Sequence, residues 1–212
     1  MHTPQRPTGE TFNRMTNGSV YMPDAECAAQ FKRIYAATVL AEEHYARGEH
    51  AQAMHVYREH LGHLGEHAHI RPGVRFDYGV NTYIGDGSFF NFGTVFLDVC
   101  PIRIGSTVLV GSNVQFMTPT HPLHPGDRAD YWEAGAPITV EDNVWIGSGA
   151  IILGGVTIGK NSVKDVPANS LVVGNPGRVI RTLDENERPA HPHTFSAEAM
   201  EEARAFYADR NR

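Results

Sequence analysis

Histidine is the side chain whose ordinary protonation range spans neutrality, so proton-transfer chemistry is sought first among the 12 histidines of this 212-residue chain. Two of them, His121 and His124, lie in the stretch Thr118-Pro119-Thr120-His121-Pro122-Leu123-His124-Pro125. A histidine held there could take the proton from a hydroxyl nucleophile, which is sluggish at neutral pH without a base. The alternative is a surface histidine whose place between prolines is structural. His63, His67 and His69 form a second group, but they precede the repetitive part of the chain and lack the spacing of metal ligands. Cys27 and Cys100 are far apart, with no CxxC or Cys/His pattern around them, so neither a disulfide framework nor a zinc knuckle is expected. That pattern fits a reducing setting and a cytoplasmic protein.

The elements that must position these residues change character at Ile70. From Met22 to Gly65 the sequence is rich in Ala, Glu, His and Arg. Apolar residues recur there at helical offsets: Phe31, Ile34, Tyr35, Thr38 and Val39, then Met54, Tyr57 and Leu61. Asp24 after Pro23 is placed to cap the first helix, and Gly48 and Gly62 to end helices. This helical region, residues 1–65, is expected to pack on the next domain or cover one end of it.

From Ile70 onward Gly, Val, Ile, Asn and Phe dominate and a six-residue period sets in. Large apolar residues recur at Ile70 and Phe76, at Ile84, Phe90 and Phe96, at Ile104, Val110 and Phe116, and at Val140, Ile146, Ile152 and Ile158. A small or β-branched residue follows four positions later, as in Val74, Ser88, Thr94, Val108, Val114 and Val144. Short strands joined by a tight turn every six residues form the flat sides of a prism, with the lead residue inward and Gly or Asn supplying the turns. One coil takes three such units and cannot bury its own apolar face, so stability comes from stacking. A β-sandwich would show alternation and more widely spaced turns instead.

The step lengthens from Phe76 to Ile84 and from Phe96 to Ile104, which fits bulged corners. From Phe116 to Val140 it demands an extruded loop, residues 117–137, and long loops on a rigid scaffold are where function concentrates. The β-helix is assigned residues 66–181. The tail, 182–212, is polar and proline-containing before a short helix from Ser196 to Arg210, with Ser196 as its cap. With 18 Lys+Arg against 24 Asp+Glu the net charge is −6, which disfavours a large nucleic-acid footprint and leaves room only for a local basic groove, so no nucleic-acid partner is expected. The N-terminus is polar and no apolar run is long enough to span a membrane, so no membrane partner is expected either.

Five segments together resemble the maltose and galactoside O-acetyltransferases of the hexapeptide-repeat superfamily, over Gly9 to Arg181. They are FDYG at Phe76, NFGTVFLDVCPIRIG at Asn91, TPTHPLHP at Thr118, ITVEDNVWIGSGAIILGGVTIGKNSV at Ile138 and KDVPANSLVVGNPGRVIR at Lys164. The resemblance implies a mainly β fold: a left-handed parallel β-helix with an N-terminal helical region and a C-terminal helical tail. The handedness rests on the resemblance alone, against the usual right-handed crossover. It further implies a homotrimer with active sites between neighbouring prisms, acetyl-CoA as co-substrate, no metal, and a sugar such as maltose, glucose or a galactoside as acceptor.

On the same footing His121 matches the catalytic base. Ser148 matches a position beside the cofactor thioester, where its amide would face the oxyanion of the tetrahedral intermediate. Trp145, on the same coil, would pack along the cleft or serve structure. Asp77 and Asn91 match polar positions of the acceptor pocket and Asp98 is close to a third, while asparagine also serves as a corner residue in such coils. Asp24 aligns loosely with an acidic residue from the N-terminal region. Lys164, Arg178 and Arg181 match positions near the coenzyme A phosphates.

One departure stands out. Val163 runs straight into Lys164, where relatives continue for about eight more residues before the KDVPAN-like segment. That stretch is where the resemblance places the pantetheine arm and adenine. The departure motivates one other reading, a non-catalytic or weakly active β-helical trimer; an acetyltransferase with a non-sugar acceptor and a metal-dependent hydratase on the same fold, requiring three converging histidines, are the further alternatives.

Overall fold

Strands of two or three residues cannot form a stable sheet alone, so each must find its partners in the coils above and below it. In the computed structural model, which describes residues 4–160, 170–173, 178–182 and 197–208, they do so as three parallel sheets around one core. The first face carries His63–Leu64, Thr82–Ile84, Ile102–Ile104, Ile138–Val140 and Thr157–Ile158. The second carries His69–Ile70, Phe89–Phe90, Leu109–Val110 and Trp145–Ile146. The third carries Arg75–Phe76, Val95–Leu97, Gln115–Met117 and Ile151–Leu153.

The lead residues stack inward in register, Ile84 on Ile104 and Ile104 on Val140. On the third face the rings of Phe76, Phe96 and Phe116 stack at 4.9 and 5.0 Å, close to the spacing of neighbouring strands. Tight corners between faces require left-handed backbone, and Asn113 and Asn143 adopt it with φ of 58° and 56°. The corner between the third and first faces is the bulged one. There Asp98 accepts the Tyr78 amide at 2.8 Å, and Asn81 Nδ2 donates to the Asp98 and Val99 carbonyls at 2.8 and 3.1 Å. The two bulges thus rest on each other.

Three helices precede the coil: α1 (Glu10–Asn17), α2 (Ala25–Ala46) and α3 (His50–His60). Asp24 caps α2, its carboxylate accepting from the Glu26 and Cys27 amides at 3.0 Å each. Ile34, Ala37 and Ala41 of α2 and Met54 and Tyr57 of α3 join the core, closing the open end of the prism. The apolar residues of α2 are divided: Ile34 and Thr38 are buried, while Phe31, Tyr35, Val39 and Leu40 are exposed.

Four features differ from the sequence reading. Helix α1 was not anticipated. The first coil strand is His63–Leu64, ahead of the boundary at 66, so His63 and His69 lie in the coil instead of preceding it. Ser170–Val173 and Arg178–Thr182, assigned to the β-helix, pair antiparallel with each other. Loop 117–137 is folded back: Pro119–Thr120 pairs antiparallel with Ala134–Gly135, a short helix α4 (Pro125–Ala129) lies between them, and Trp132 is only 4% exposed.

Trp132 belongs to a second core with Phe12, Met15, Tyr21, Cys100, Met200 and Tyr207. The last two come from helix α5 (Ala197–Ala208); Ser196, its expected cap, lies outside the described residues. Among the described residues no helix is long and apolar enough to cross a membrane.

Candidate active site

His121 follows the hairpin strand Pro119–Thr120 directly and is exposed. The turn after it is tied down, because the Arg128 guanidinium donates to the carbonyls of Pro122 at 2.9 Å and Leu123 at 3.1 Å. The two loop histidines differ in their commitments. His124 caps α4, its Nδ1 accepting the Asp127 amide at 3.4 Å and standing 3.7 Å from the Asp127 carboxylate. His121 makes no hydrogen bond with any described residue, which leaves its ring available to a substrate.

The pairing of Thr120 with Ala134 puts Glu133 next across the hairpin from His121. Glu133 accepts the Tyr21 hydroxyl at 2.6 Å, and the two backbones bridge through N–H to carbonyl bonds of 2.8 and 3.0 Å. Neither residue carried a sequence signal, since both sit in short irregular segments. Asp77, half-buried at the lower bulge, has its carboxyl pushed up to about 6, first by burial and then by the charge of Glu133.

Asp98 departs from the expectation that it reaches the acceptor. It is fully buried, with Oδ1 taken by the Tyr78 amide and Oδ2 by the Thr82 hydroxyl at 3.0 Å. Its carboxyl is pushed up to about 7, chiefly by burial. Asp98 holds the bulge that presents Asp77.

Asn91 and Ser148 belong to a different edge, the one between the second and third faces. Asn91 Oδ1 accepts the Phe92 amide at 2.9 Å, and its Nδ2 has no partner among the described residues. Two coils along, Ser148 Oγ accepts the Ser112 amide at 3.1 Å, whereas the amide of Ser148 itself has no partner among the described residues. A Cβ at Gly147 or Gly149 beside it would meet none of the described residues within 4 Å. Trp145 is 57% exposed on the outer second face, next to Leu109. The third face lies between this edge and the His121 edge, a width of about 15–20 Å for five or six extended residues. A single prism therefore does not bring His121 together with Asn91 or Ser148.

Arg178 and Arg181 are on the antiparallel pair, opposite Val173 and Leu171. Lys164 lies outside the described residues. Cys27 and Cys100 are buried free thiols, pushed up to about 11 and about 12 by burial, so neither is a ready nucleophile. Among the described residues no group of three His, Cys, Asp or Glu could hold a metal ion.

Residues 137–163 match the family model described as bacterial transferase hexapeptide (six repeats). The chain is 48% identical over 126 residues to a putative acetyltransferase of Schizosaccharomyces pombe, spanning 56% of this chain and 60% of that protein. It is 34% identical over 177 residues to the galactoside O-acetyltransferase of Escherichia coli K12, covering 79% of this chain and 87% of the relative. The chain belongs to the galactoside O-acetyltransferase family. A hexapeptide-repeat acetyltransferase of Vibrio cholerae, solved in complex with acetyl coenzyme A, superposes with a TM-score of 0.67 at 33% identity. That match covers 83% of this chain and 100% of the other. The prism is thus the left-handed parallel β-helix of this acetyltransferase family.

Proposed function

We propose that the protein transfers the acetyl group of acetyl-CoA to a hydroxyl of a sugar such as maltose, glucose or a galactoside, as a cytoplasmic homotrimer. The observation that carries this reading is His121: an exposed imidazole with no hydrogen-bond partner among the described residues, on an anchored hairpin, in a chain of this family. The division of the other candidates between two edges supports assembly, because an edge bearing Asn91 and Ser148 on one copy can face the His121 edge of the next. The outward residues Leu109, Trp145, Ile151 and Leu153 offer apolar area for such contacts.

In the proposed reaction the acceptor hydroxyl gives its proton to His121 as its oxygen bonds to the thioester carbonyl carbon. The negative charge that gathers on the carbonyl oxygen is met by the Ser148 amide of the neighbouring copy. Collapse of the tetrahedral species breaks the C–S bond, and the departing thiolate takes the proton back from His121. The products are the acetyl ester and coenzyme A. Asp77 and Asn91 orient the sugar, while Trp145, Lys164, Arg178 and Arg181 hold the coenzyme.

Calorimetric titration with acetyl-CoA, followed by thiol release over a panel of glycosides, amines and hydroxy amino acids, tests this reading. We expect saturable binding and release that requires a glycoside. Release with a hydroxy amino acid would favour the non-sugar acceptor. Absence of acetyl-CoA binding would favour the non-catalytic trimer, which the short stretch after Val163 motivates.

A further inference from the structure

We infer that helix α5 is a clasp that positions the His121 hairpin, with Tyr207 and Arg204 as its positioning residues. The inference rests on the proposed role of His121. Because the His121 ring has no partner among the described residues, its location is inherited from the hairpin backbone. That hairpin is held by a strand pairing of two residues on each side, which contributes little stability alone. It is restrained further by the Tyr21–Glu133 bridge on one side and by α5 on the other.

The Tyr207 ring meets Trp132 edge-on, with centroids 5.4 Å apart at 71°, and both residues are buried. The Tyr207 hydroxyl accepts the Met22 amide at 3.1 Å and has the Thr11 hydroxyl 3.3 Å away. One side chain thus joins the hairpin to α1 and to the segment that bridges Glu133. One turn earlier, Arg204 donates to the carboxylate of Asp127 in α4, the turn that follows His121. On its other side α5 is tied to α1 by the Arg14–Glu202 ion pair at 2.9 Å and by the Arg14 guanidinium 4.7 Å from the Phe206 ring. A helix of 12 residues is marginal by itself, so α5 and the hairpin order each other by docking. An exposed ion pair adds little energy, so Arg204 sets the orientation of α4 while Tyr207 and Met200 supply the burial.

The test compares Tyr207→Ala, Tyr207→Phe, Arg204→Ala and Arg204→Lys in the full-length protein, by amide hydrogen exchange and steady-state kinetics. For Tyr207→Ala we expect amides of residues 118–136 to exchange at least about tenfold faster while those of 102–117 are unchanged. We expect kcat to fall about 10- to 100-fold, with the KM for acetyl-CoA within about twofold of wild type. Tyr207→Phe, which keeps the ring on Trp132, should show a smaller effect of the same kind. Arg204→Lys should restore most of what Arg204→Ala loses, and adding Asp127→Ala to Arg204→Ala should cost nothing more. Unchanged exchange of the hairpin in Tyr207→Ala would overturn the clasp, and altered exchange with wild-type kcat would overturn its positioning role. The exchange arm needs no turnover, so it decides the clasp even if the wild-type protein proves inactive and the proposed function fails.

Discussion

Asp98 carries a stability cost that follows from its surroundings. A carboxyl whose folded value is raised to about 7 binds its proton more tightly in the folded than in the unfolded chain, where it is near 4. Its contribution is fully present below the unfolded value and is lost as pH rises through the folded one, so stability declines between about pH 4 and 7. When protonated, Asp98 can donate to Thr82 Oγ1 while Oδ1 still accepts the Tyr78 amide. Asp98→Asn preserves both contacts without the charge. We therefore expect its melting temperature to fall less than that of wild type between pH 5 and pH 8, measured by thermal unfolding across that range. An equal decline would mean the buried carboxyl is not the source. At this scale the sequence revealed the identities of Asp77 and Asp98 but not which one faces outward. Two extra residues at a corner leave the direction of each side chain to the bonds that fill the bulge.

The coils were legible because their energetics repeat: each lead residue buries the same face against its equivalent one rung away. Phe96 is the middle ring of three, fully buried between Phe76 and Phe116. Phe96→Ala should leave a cavity with no flexible neighbour to fill it and cost about 3–5 kcal/mol, read from the denaturant midpoint. A cost below about 1 kcal/mol would contradict the ladder as a main support of the prism. The elements that did not repeat were the ones missed. Helix α1 has eight residues after Gly9, too few for a clear period, and the hairpin strands have two residues each. Their positions follow from Tyr21 meeting Glu133 and Trp132 meeting Tyr207 across long stretches of sequence, which no local pattern records.

On the scale of the whole molecule, the proposed division of the site between two edges has a direct consequence for mixed assemblies. If His121 of one copy works with Asn91 and Ser148 of the next, a trimer containing both His121→Ala and Asn91→Ala chains holds one site with neither substitution. Refolding the two inactive variants together should recover a substantial part of the activity, while each refolded alone should not. Failure to recover activity from particles of trimer size in light scattering would place the whole site within one chain, against the separation of the edges.

The central claim, that His121 is the base of acetyl transfer, is tested most directly by kcat of His121→Ala with acetyl-CoA and a responsive glycoside. We expect a loss of about 10²–10⁴-fold in kcat, with acetyl-CoA affinity within about twofold of wild type by calorimetry. Full activity in this variant would contradict the account.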